Sequence, residues 1–578
     1  MKSTRRASRS AAAHSHGLPG PCVRSDAIEC RTMMPLAFAA ALCTATGASH
    51  AFPIDVGVPD VDVRFDNTIK YSGAARLRNP SGTLVDGFPN GDDGDRNFRR
   101  GVISNRLDLL SEFDVSYKGS GLRLSGAGWY DSVYNGHTDN DSPGTYNAVS
   151  VSNQAFPDAT RKLHGRKAEL LDAFVFTSQA LGDMNATVRL GRHAVLYGES
   201  LFFGDNGIAG GQAPTDIVKL LSVPNTQFKE LTRPVNQIST QLQVNANLLL
   251  GGYYQFEWEE NRIPAAGSYF SRADLFDRGG ERLVVGAPGG PFAAPPAFFR
   301  APDIKGKNSG QYGLQLRYRS DALATDFGVY ATRYHDKNFQ VYVNPSAGAP
   351  NFTTGQIGTY QLVYAEGIRA YGVSASRSIG TVNLAGEISV RRNTPLVAAG
   401  GSVTVTPGTV ADNNANPLYP VGNSLHAQVS ILQTLERSPL WEGGSLLAEV
   451  AWNRRTSVTR NAEGLDPNAS RDALALRALF TPSWFQVFQG IDLSMPIGIG
   501  YVPSGKSSVV TLFNGGWTHG GDISIGLSGE FQQVWKGGIN FTHYFGSAGP
   551  VLDAANAYSF KQSLKDRDFI SVTFQRSF

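Results

Sequence analysis

The sequence has little cysteine, little charge and no long apolar run. Its three cysteines, Cys22, Cys30 and Cys43, all lie within residues 1–51 of the 578. Beyond that segment there is no disulfide framework, thiolate metal site or cysteine nucleophile. No stretch after Ala51 reaches the ~18 consecutive apolar residues of a transmembrane helix. These absences exclude a disulfide-stapled secreted domain and a helical membrane protein.

Charge is sparse, because only 17% of the residues are charged. The formal net charge of +3 comes from residues 1–51, whose six basic and two acidic residues leave the remainder at −1. A nucleic-acid-binding protein carries a basic patch, so no nucleic-acid partner is predicted. Glycine (64 residues) and aromatic residues (10%) are plentiful, which favours β structure over a helix-rich enzyme.

Residues 1–51 are predicted to be a cleaved signal peptide with a basic N-terminal extension. The apolar run 35–42 is followed by small residues at Ser49 and Ala51, which suit cleavage after Ala51. The run is too short to span ~30 Å of hydrocarbon. The basic stretch before it is either an extended n-region or the result of a start codon assigned too early.

Strict alternation of apolar and polar residues recurs along 52–578. "QISTQLQV" (237–244), "QYGLQLRYRS" (311–320) and "DISIGLSGEF" (522–531) each place apolar side chains on one face and polar ones on the other. This period is that of a strand with one dry and one wet face. The strands are too many for one sandwich, and connections are either very short or long and rich in Gly, Pro and Ala. The long ones are 261–309, 392–424 and 546–566.

We therefore predict an all-β chain, a transmembrane antiparallel barrel of about 14–18 strands over 52–578. Aromatic residues near strand ends suit the interfacial girdles of such a barrel. They are Trp129, Tyr130, Phe256, Trp258, Trp452 and Trp517.

The last twelve residues, "RDFISVTFQRSF", carry a further signal. Ile570, Val572, Phe574 and Phe578 share one face. The pattern resembles the C-terminal strand by which bacterial outer-membrane barrels are recognised. We therefore expect a Gram-negative outer membrane, with membrane lipid and the barrel-assembly machinery as partners.

Several sequence blocks resemble those of a family of large Gram-negative outer-membrane proteins known as an uncharacterised domain of unknown function. They include "DDGDRNF" (92–98), "SNRLDLLSEFDVSY" (104–117), "GAGWYDSVYN" (126–135), "VRLGRHAVLYGES" (188–200) and "DRDFISVTF" (566–574). The chain departs from the family pattern at His193 and Tyr197, where Gln and Trp are expected. It also departs near Ala266, where a cysteine is expected and none occurs. The resemblance implies a barrel in the outer membrane and no established substrate, so no functional residue is carried over from it.

The segment 208–235 breaks the alternation. Thr215 is predicted to cap a helix over Asp216–Leu221, and Asn225 or Thr226 to cap a second turn. Helices cannot form part of a barrel wall, so we expect this segment in the lumen, where it narrows or gates a pore. Its polar contacts would be Lys219, Lys229, Glu230 and Arg233.

The block "VRLGRHAVLYGES" places Arg189, Arg192, His193 and Glu199 close together in sequence. They form either a lumen constriction that contacts ligand or a salt-bridged lumen wall, which any barrel needs.

In "DDGDRNF", Asp92, Asp93 and Asp95 have the oxygen ligands that Ca²⁺ prefers, but not the spacing of an EF-hand loop. We expect an acidic turn that caps backbone groups and no metal, with these three residues as a weak candidate cation site.

Residues Gly500–Ser507 match the phosphate-binding pattern G-x-x-x-x-G-K-S. That motif needs a helix starting at Lys506, whereas the glycine-rich and β-branched sequence that follows is not helical. Counting strands back from a periplasmic C-terminus places 502–520 in an external loop. We predict no nucleotide binding and a solvated Lys506.

No G-x-S-x-G or H-E-x-x-H motif occurs, and the seven histidines after residue 51 are scattered singly. We predict no enzyme and no cofactor. The expected function is an outer-membrane, porin-like channel for small or hydrophobic solutes. The alternative is a non-conducting barrel acting in envelope assembly or lipid handling. Substrate and oligomeric state stay open.

Overall fold

The computed structural model describes residues 52–578 except 224–226, 277, 554 and 556. The predicted signal peptide lies outside the described residues. Among those described, no helix is both long and apolar enough to cross a membrane. The chain forms one closed antiparallel sheet of eighteen strands, with the interrupted strand 491–505 counted once. This confirms the predicted all-β barrel of 14–18 strands.

The strands are β1 (Val61–Arg76), β2 (Gly101–Tyr117), β3 (Ser120–Asp131), β4 (Arg166–Leu181), β5 (Met184–His193), β6 (Val235–Gln243), β7 (Leu248–Gln255), β8 (Gln311–Ser320), β9 (Thr325–Tyr334), β10 (Ile368–Ile379), β11 (Val382–Pro395), β12 (Val421–Leu435), β13 (Gly443–Arg460), β14 (Asp472–Phe488), β15 (Ile491–Ser494 and Ile497–Gly505), β16 (Gly521–Phe531), β17 (Trp535–Phe545) and β18 (Phe569–Ser577).

The short α-helices are α1 (Gly82–Val85), α2 (Asp93–Arg96), α3 (Asp158–Thr160) and α4 (Ile217–Ser222). A π-helical turn spans Arg161–Gly165, and 3₁₀ turns span Phe228–Glu230, Ala399–Gly401, Ala462–Gly464 and Phe513–Gly515. Five further short strands in the long connections, Arg282–Val284, Ala297–Arg300, Gln340–Pro345, Gln356–Val363 and Val403–Thr404, form a second sheet.

The first and last strands close the barrel. β1 pairs with β2 on one side and with β18 on the other, in a register that places Tyr71 opposite Phe574. β18 also pairs with β17, where Val572 lies opposite Ile539. Because every strand has two neighbours, the sheet has no free edge.

Apolar side chains cover the outside of the barrel. Along β8, Leu314 is 60% exposed, whereas Gln311 and Gln315 are buried on the lumen side. The pleat produces this alternation, and exposed Val, Leu, Ile and Phe residues recur on most of the other strands. So large an apolar surface needs a lipid environment.

The two rims of the barrel differ strongly. Eight connections of two to seven residues join the strands at the rim where β18 ends, and nine connections of 11 to 55 residues lie at the other. One of the short connections, 532–534, is a tight turn in which both Gln532 and Gln533 have positive φ. β11 continues to Pro395 and β12 starts at Val421, so the predicted loop 392–424 is four residues too long at each end.

The long connections fold into the lumen and form a core there. Phe98, Tyr134, Phe156 and Tyr269, all buried, pack their rings edge-on or tilted against one another. The buried apolar cluster around these rings is therefore built from residues of the loops as well as of the strands.

The predicted aromatic girdle is only partly correct. Tyr130 and Phe256 are exposed on the outside. Trp258 is buried and its Nε1 donates to the carbonyl of Asp336, 3.2 Å away, while Trp517 is 4% exposed. Trp129 donates its Nε1 hydrogen to the Leu163 carbonyl at 3.0 Å. Trp129 and Trp258 point inward because the folded-in loops offer them both apolar contacts and acceptors, whereas Trp517 has the apolar contacts alone.

Candidate functional site

A loop crosses the lumen and is held there by carboxylates of the wall. We call residues 198–213 the plug segment. Glu449 of β13 accepts hydrogen bonds from the backbone N–H groups of Leu201 (3.1 Å), Phe202 (2.6 Å) and Phe203 (2.8 Å). Glu449 is 1% exposed, so three N–H dipoles replace the water that the carboxylate loses.

A second carboxylate repeats this arrangement on a neighbouring part of the wall. Glu387 of β11 accepts from the N–H groups of Glu199 (2.7 Å) and Ile208 (2.8 Å) and from the Ser200 hydroxyl (3.1 Å). A Cβ on Gly207 would lie 2.1 Å from the Glu387 carboxylate, so this approach requires glycine.

The plug segment lies at mid-depth in the barrel. Glu387 is the sixth residue of β11 and Glu449 the seventh of β13, both counted from the short-turn rim. At about 3.3 Å per residue, each lies on the order of 20 Å along its strand from that rim.

Of the predicted lumen residues, Arg189 and His193 belong to the wall strand β5, and Glu199 belongs to the plug segment. The Glu199 carboxylate lies 3.2 Å from Arg317, and His193 Nε2 lies 2.7 Å from the Ser239 hydroxyl. Arg189 is exposed, and its guanidinium lies 5.9 Å from the Phe174 ring.

Arg192 and Arg233 share a pair of acidic partners. Arg192 contacts Glu257 at 2.8 Å and Glu259 at 3.1 Å, and Arg233 contacts Glu259 at 3.0 Å. Such shared ion pairs are typical of a salt-bridged lumen wall. A role in permeation stays a prediction for all of these residues.

Helix α4 starts one residue later than predicted, because Asp216 rather than Thr215 is its cap and accepts from Lys219 N–H at 3.0 Å. The Lys219 ammonium donates to the Glu230 carbonyl at 2.9 Å, while Lys229 and Glu230 are exposed. The predicted second cap, Asn225 or Thr226, lies outside the described residues. A 3₁₀ turn follows at Phe228–Glu230.

Between the plug segment, α4 and the wall lies an apolar cavity of about 280 Å³, which we call the chamber. Its wall side is formed by Arg477 of β14, Asp522 of β16 and Tyr544 of β17. Asp522 and Tyr544 lie within one residue of their strands' ends at the long-loop rim. The aromatic residues that line it are Phe202, Phe203, Phe228, Phe270, Phe276, Phe339, Phe513, Trp517, Tyr544 and Tyr558.

One end of the chamber carries polar groups. Arg477 forms an ion pair with Asp522 (2.7 Å) and donates to the side-chain oxygen Oδ1 of Asn514 (3.3 Å). Arg272 donates through Nη1 to the Gly515 carbonyl, and its guanidinium lies 5.9 Å from the Trp517 ring. Burial lowers the pKa of Arg272 to about 10, so it stays charged at neutral pH.

The acidic block "DDGDRNF" is buried rather than a simple exposed turn. Asp95 lies 2.8 Å from Arg76 and 2.9 Å from Arg567. Burial alone would raise the pKa of Asp95, but the two guanidinium groups hold it below its ordinary value. Asp95 is therefore an ion-pair residue that ties a long loop to β1, and it is not among the three acidic residues whose oxygens cluster.

Asp92 and Asp93 instead meet Asp274, with ligand-type oxygens of all three within 4.8 Å of one another. The Asp93 N–H donates to Asp274 Oδ2 at 2.9 Å. Burial and the neighbouring Asp92 raise the pKa of Asp274 to about 7. Sequence reasoning missed Asp274 because it lies 181 residues from Asp93.

The phosphate-binding pattern lies in a strand and a buried loop. β15 runs to Gly505, and no helix starts at Lys506, since the next helical turn is the 3₁₀ turn Phe513–Gly515. Lys506 is half-buried with its ammonium 5.7 Å from the Phe560 ring, so the prediction of full solvation was wrong. The connection folds inward: Val509 and Val510 are buried and their N–H groups donate to the Ser507 hydroxyl.

Sequence reasoning also missed Glu387, Glu449 and Arg272. Glu387 and Glu449 are each the single acidic residue of a strand that otherwise shows the usual alternation, and Arg272 lies in a loop that matches no known sequence motif. An acidic side chain among small and apolar neighbours, as in "LLAEVAW" (446–452), is the signal that was available.

A comparison with family models identifies the class of protein. The model described as "Protein of unknown function (DUF1302)" matches residues 32–578. The chain belongs to this family. None of the curated proteins compared with the chain matches it.

Solved structures show similarity at low identity. The outer membrane channel DcaP of Acinetobacter baumannii is 8% identical with a TM-score of 0.36, covering 92% of this chain and 100% of that chain. OpdK of Pseudomonas aeruginosa with vanillate is 9% identical with a TM-score of 0.37, covering 89% and 98%. OccAB4 of Acinetobacter baumannii is 8% identical with a TM-score of 0.40, covering 89% and 98%.

Proposed function

We propose that the protein is a gated outer-membrane channel for small apolar or amphipathic solutes, which bind in the chamber before they pass the plug segment. The chamber carries this proposal. An apolar cavity lined by ten aromatic side chains offers a hydrated ion nothing in place of the water it loses, whereas apolar pockets of this kind bind small organic molecules.

The position of the chamber suits uptake. It lies in the long-loop half of the barrel, and the long loops face outward if β18 ends on the periplasmic side, as in other outer-membrane barrels. A solute entering from outside meets the chamber first and the plug segment second. The C-terminal strand with Ile570, Val572, Phe574 and Phe578 would direct insertion by the assembly machinery.

Passage requires the plug segment to move. Hydrogen bonds to Glu387 and Glu449 hold it, together with contacts between the Phe203 and Phe513 rings at 5.7 Å. Such contacts break and re-form on the timescale of loop motion. The lumen beneath is lined by exposed groups such as Arg189.

Binding of N-phenyl-1-naphthylamine, a dye that fluoresces in apolar sites, tests the chamber in purified protein held in amphipol. Leu220 of α4 lines the chamber, so Leu220→Asp should weaken dye binding at least tenfold by placing a charge there. Leu440, which is 72% exposed in a short turn, offers the matched control Leu440→Asp, which should bind as the wild type does. Wild-type protein that does not bind the dye would refute the proposal.

Planar bilayers separate the two functions considered. A channel shows discrete conductance steps, and bound dye reduces their frequency. A folded barrel that binds the dye but never conducts would instead support the alternative, a non-conducting barrel in lipid handling.

A further inference from the structure

Arg272 is a half-buried, partly desolvated cation without an acidic partner among the described residues. Among the residues that the structure describes, no carboxylate lies within ion-pair distance of its guanidinium, whereas Arg477 in the same wall is paired with Asp522 at 2.7 Å. Burying an unpaired charge is costly, and proteins that keep one usually use it.

The free part of Arg272 has a defined shape. Nη1 donates to the Gly515 carbonyl, while Nε and Nη2 have no hydrogen-bond partner among the described residues. These two nitrogens form one edge of the planar guanidinium, and that edge binds a carboxylate through two parallel hydrogen bonds.

Other donors near Arg272 are also unsatisfied. Nδ2 of Asn514 and Nε1 of Trp517 are buried and lack a partner, and both residues line the chamber. Three nearby acceptors already have donors, because Oδ1 of Asn514 and Oδ1 of Asp522 accept from Arg477 and the Gly515 carbonyl accepts from Arg272. This end of the chamber therefore has a surplus of donors.

The remaining acidic residue of the chamber does not satisfy that surplus. Asp205 lies on the far side with the plug segment, where its main-chain carbonyl accepts from Arg391 at 2.7 Å. Burial raises the pKa of the Asp205 carboxyl. The Tyr558 hydroxyl is neutral, since burial raises its pKa as well.

We infer that the chamber selects amphipathic monocarboxylates, with the carboxylate on the Nε–Nη2 edge of Arg272 and the apolar body among the aromatic residues. This inference rests on the proposed function and names its substrate class. A neutral analogue of equal length would bind through its apolar body alone.

Competition between the dye and two matched ligands tests this inference. Decanoate and 1-decanol displace N-phenyl-1-naphthylamine from the wild-type protein in amphipol at pH 8, where decanoate is ionised. Decanoate should bind about tenfold or more tightly than decanol, the ratio expected for a charge-assisted pair of hydrogen bonds. Arg272→Gln should abolish that ratio and leave decanol binding unchanged.

The controls keep the outcomes distinct. Arg278, six residues along the same loop, is exposed, so Arg278→Gln should keep the preference for decanoate. Arg272→Lys keeps the charge and should retain part of the preference for decanoate. It replaces Arg272→Gln as the test variant if Arg272→Gln does not fold. Equal binding of both ligands by the wild type, or an undiminished preference in Arg272→Gln, overturns the inference but not the chamber. Displacement by neither ligand overturns both.

Discussion

The glutamates that hold the plug segment provide a direct test of gating. Glu449→Gln keeps the size of the side chain, removes its charge and replaces one acceptor oxygen with an NH₂ group. In the wild type, Oε1 accepts from Leu201 N–H and Oε2 from Phe202 and Phe203 N–H. The glutamine keeps one acceptor oxygen, and its NH₂ group faces backbone N–H groups, which are donors as well.

The magnitude follows from the bonds that are lost. A hydrogen bond to a charged group contributes roughly 1.5–3 kcal/mol, and the glutamine loses one or two of the three. The closed position of the plug segment should therefore be destabilised by about 3 kcal/mol, which is roughly a 100-fold change in the closed-to-open ratio.

Single-channel recording in planar bilayers measures this ratio. The variant should spend roughly 100-fold more time open than the wild type, and the amides of Leu201–Phe203 should exchange hydrogen correspondingly faster. Glu463, exposed in a long loop, provides the control Glu463→Gln, which should leave both quantities unchanged. A folded Glu449→Gln barrel with wild-type open time and wild-type exchange would refute the gating mechanism.

Three further predictions concern stability. Asp95→Asn leaves Arg76 and Arg567 buried with less compensation, so the free energy of unfolding should fall by about 3–5 kcal/mol, measured by urea denaturation. The folded pKa of Asp274, about 7, exceeds its unfolded value, so the protonated carboxyl stabilises the folded protein at low pH, and this stability is lost as pH rises through 7. The free energy of unfolding, measured by urea denaturation, should therefore fall on the order of 2 kcal/mol between pH 5 and pH 8. Asp274→Asn should flatten this change. Lys506→Ala should assemble, lose about 0.5–1 kcal/mol of contact with an aromatic ring and, like the wild type, bind no ATP in equilibrium dialysis.

Local patterns predicted the wall of the barrel well. The alternation in 311–320 matches the exposed and buried faces of β8, and the C-terminal pattern matches a strand that closes the sheet. The break in alternation after residue 208 placed α4 to within one residue. Each of these features depends on neighbours two to four positions apart, and the pleat or the helical turn fixes the relation between spacing and face.

The same patterns misjudged side chains whose surroundings come from distant loops. Trp517 was assigned to an outer girdle and lies in the chamber, and Lys506 was assigned to solvent and lies against Phe560. Both residues belong to the predicted loop 502–520, whose first four residues lie instead in β15, which runs to Gly505. The connection beyond that strand folds into the lumen rather than out into water.

By itself, then, the sequence determined a membrane barrel with one polar and one apolar face. Apolar and polar residues alternate along the strands, and only the apolar face is stable in contact with lipid. Only the tertiary structure decided what fills the barrel. The contacts that build the chamber and the plug join residues far apart in the chain, such as Arg272 with Gly515 at a separation of 243 and Phe203 with Glu449 at 246. Such pairings depend on how whole loops pack, which no local spacing encodes.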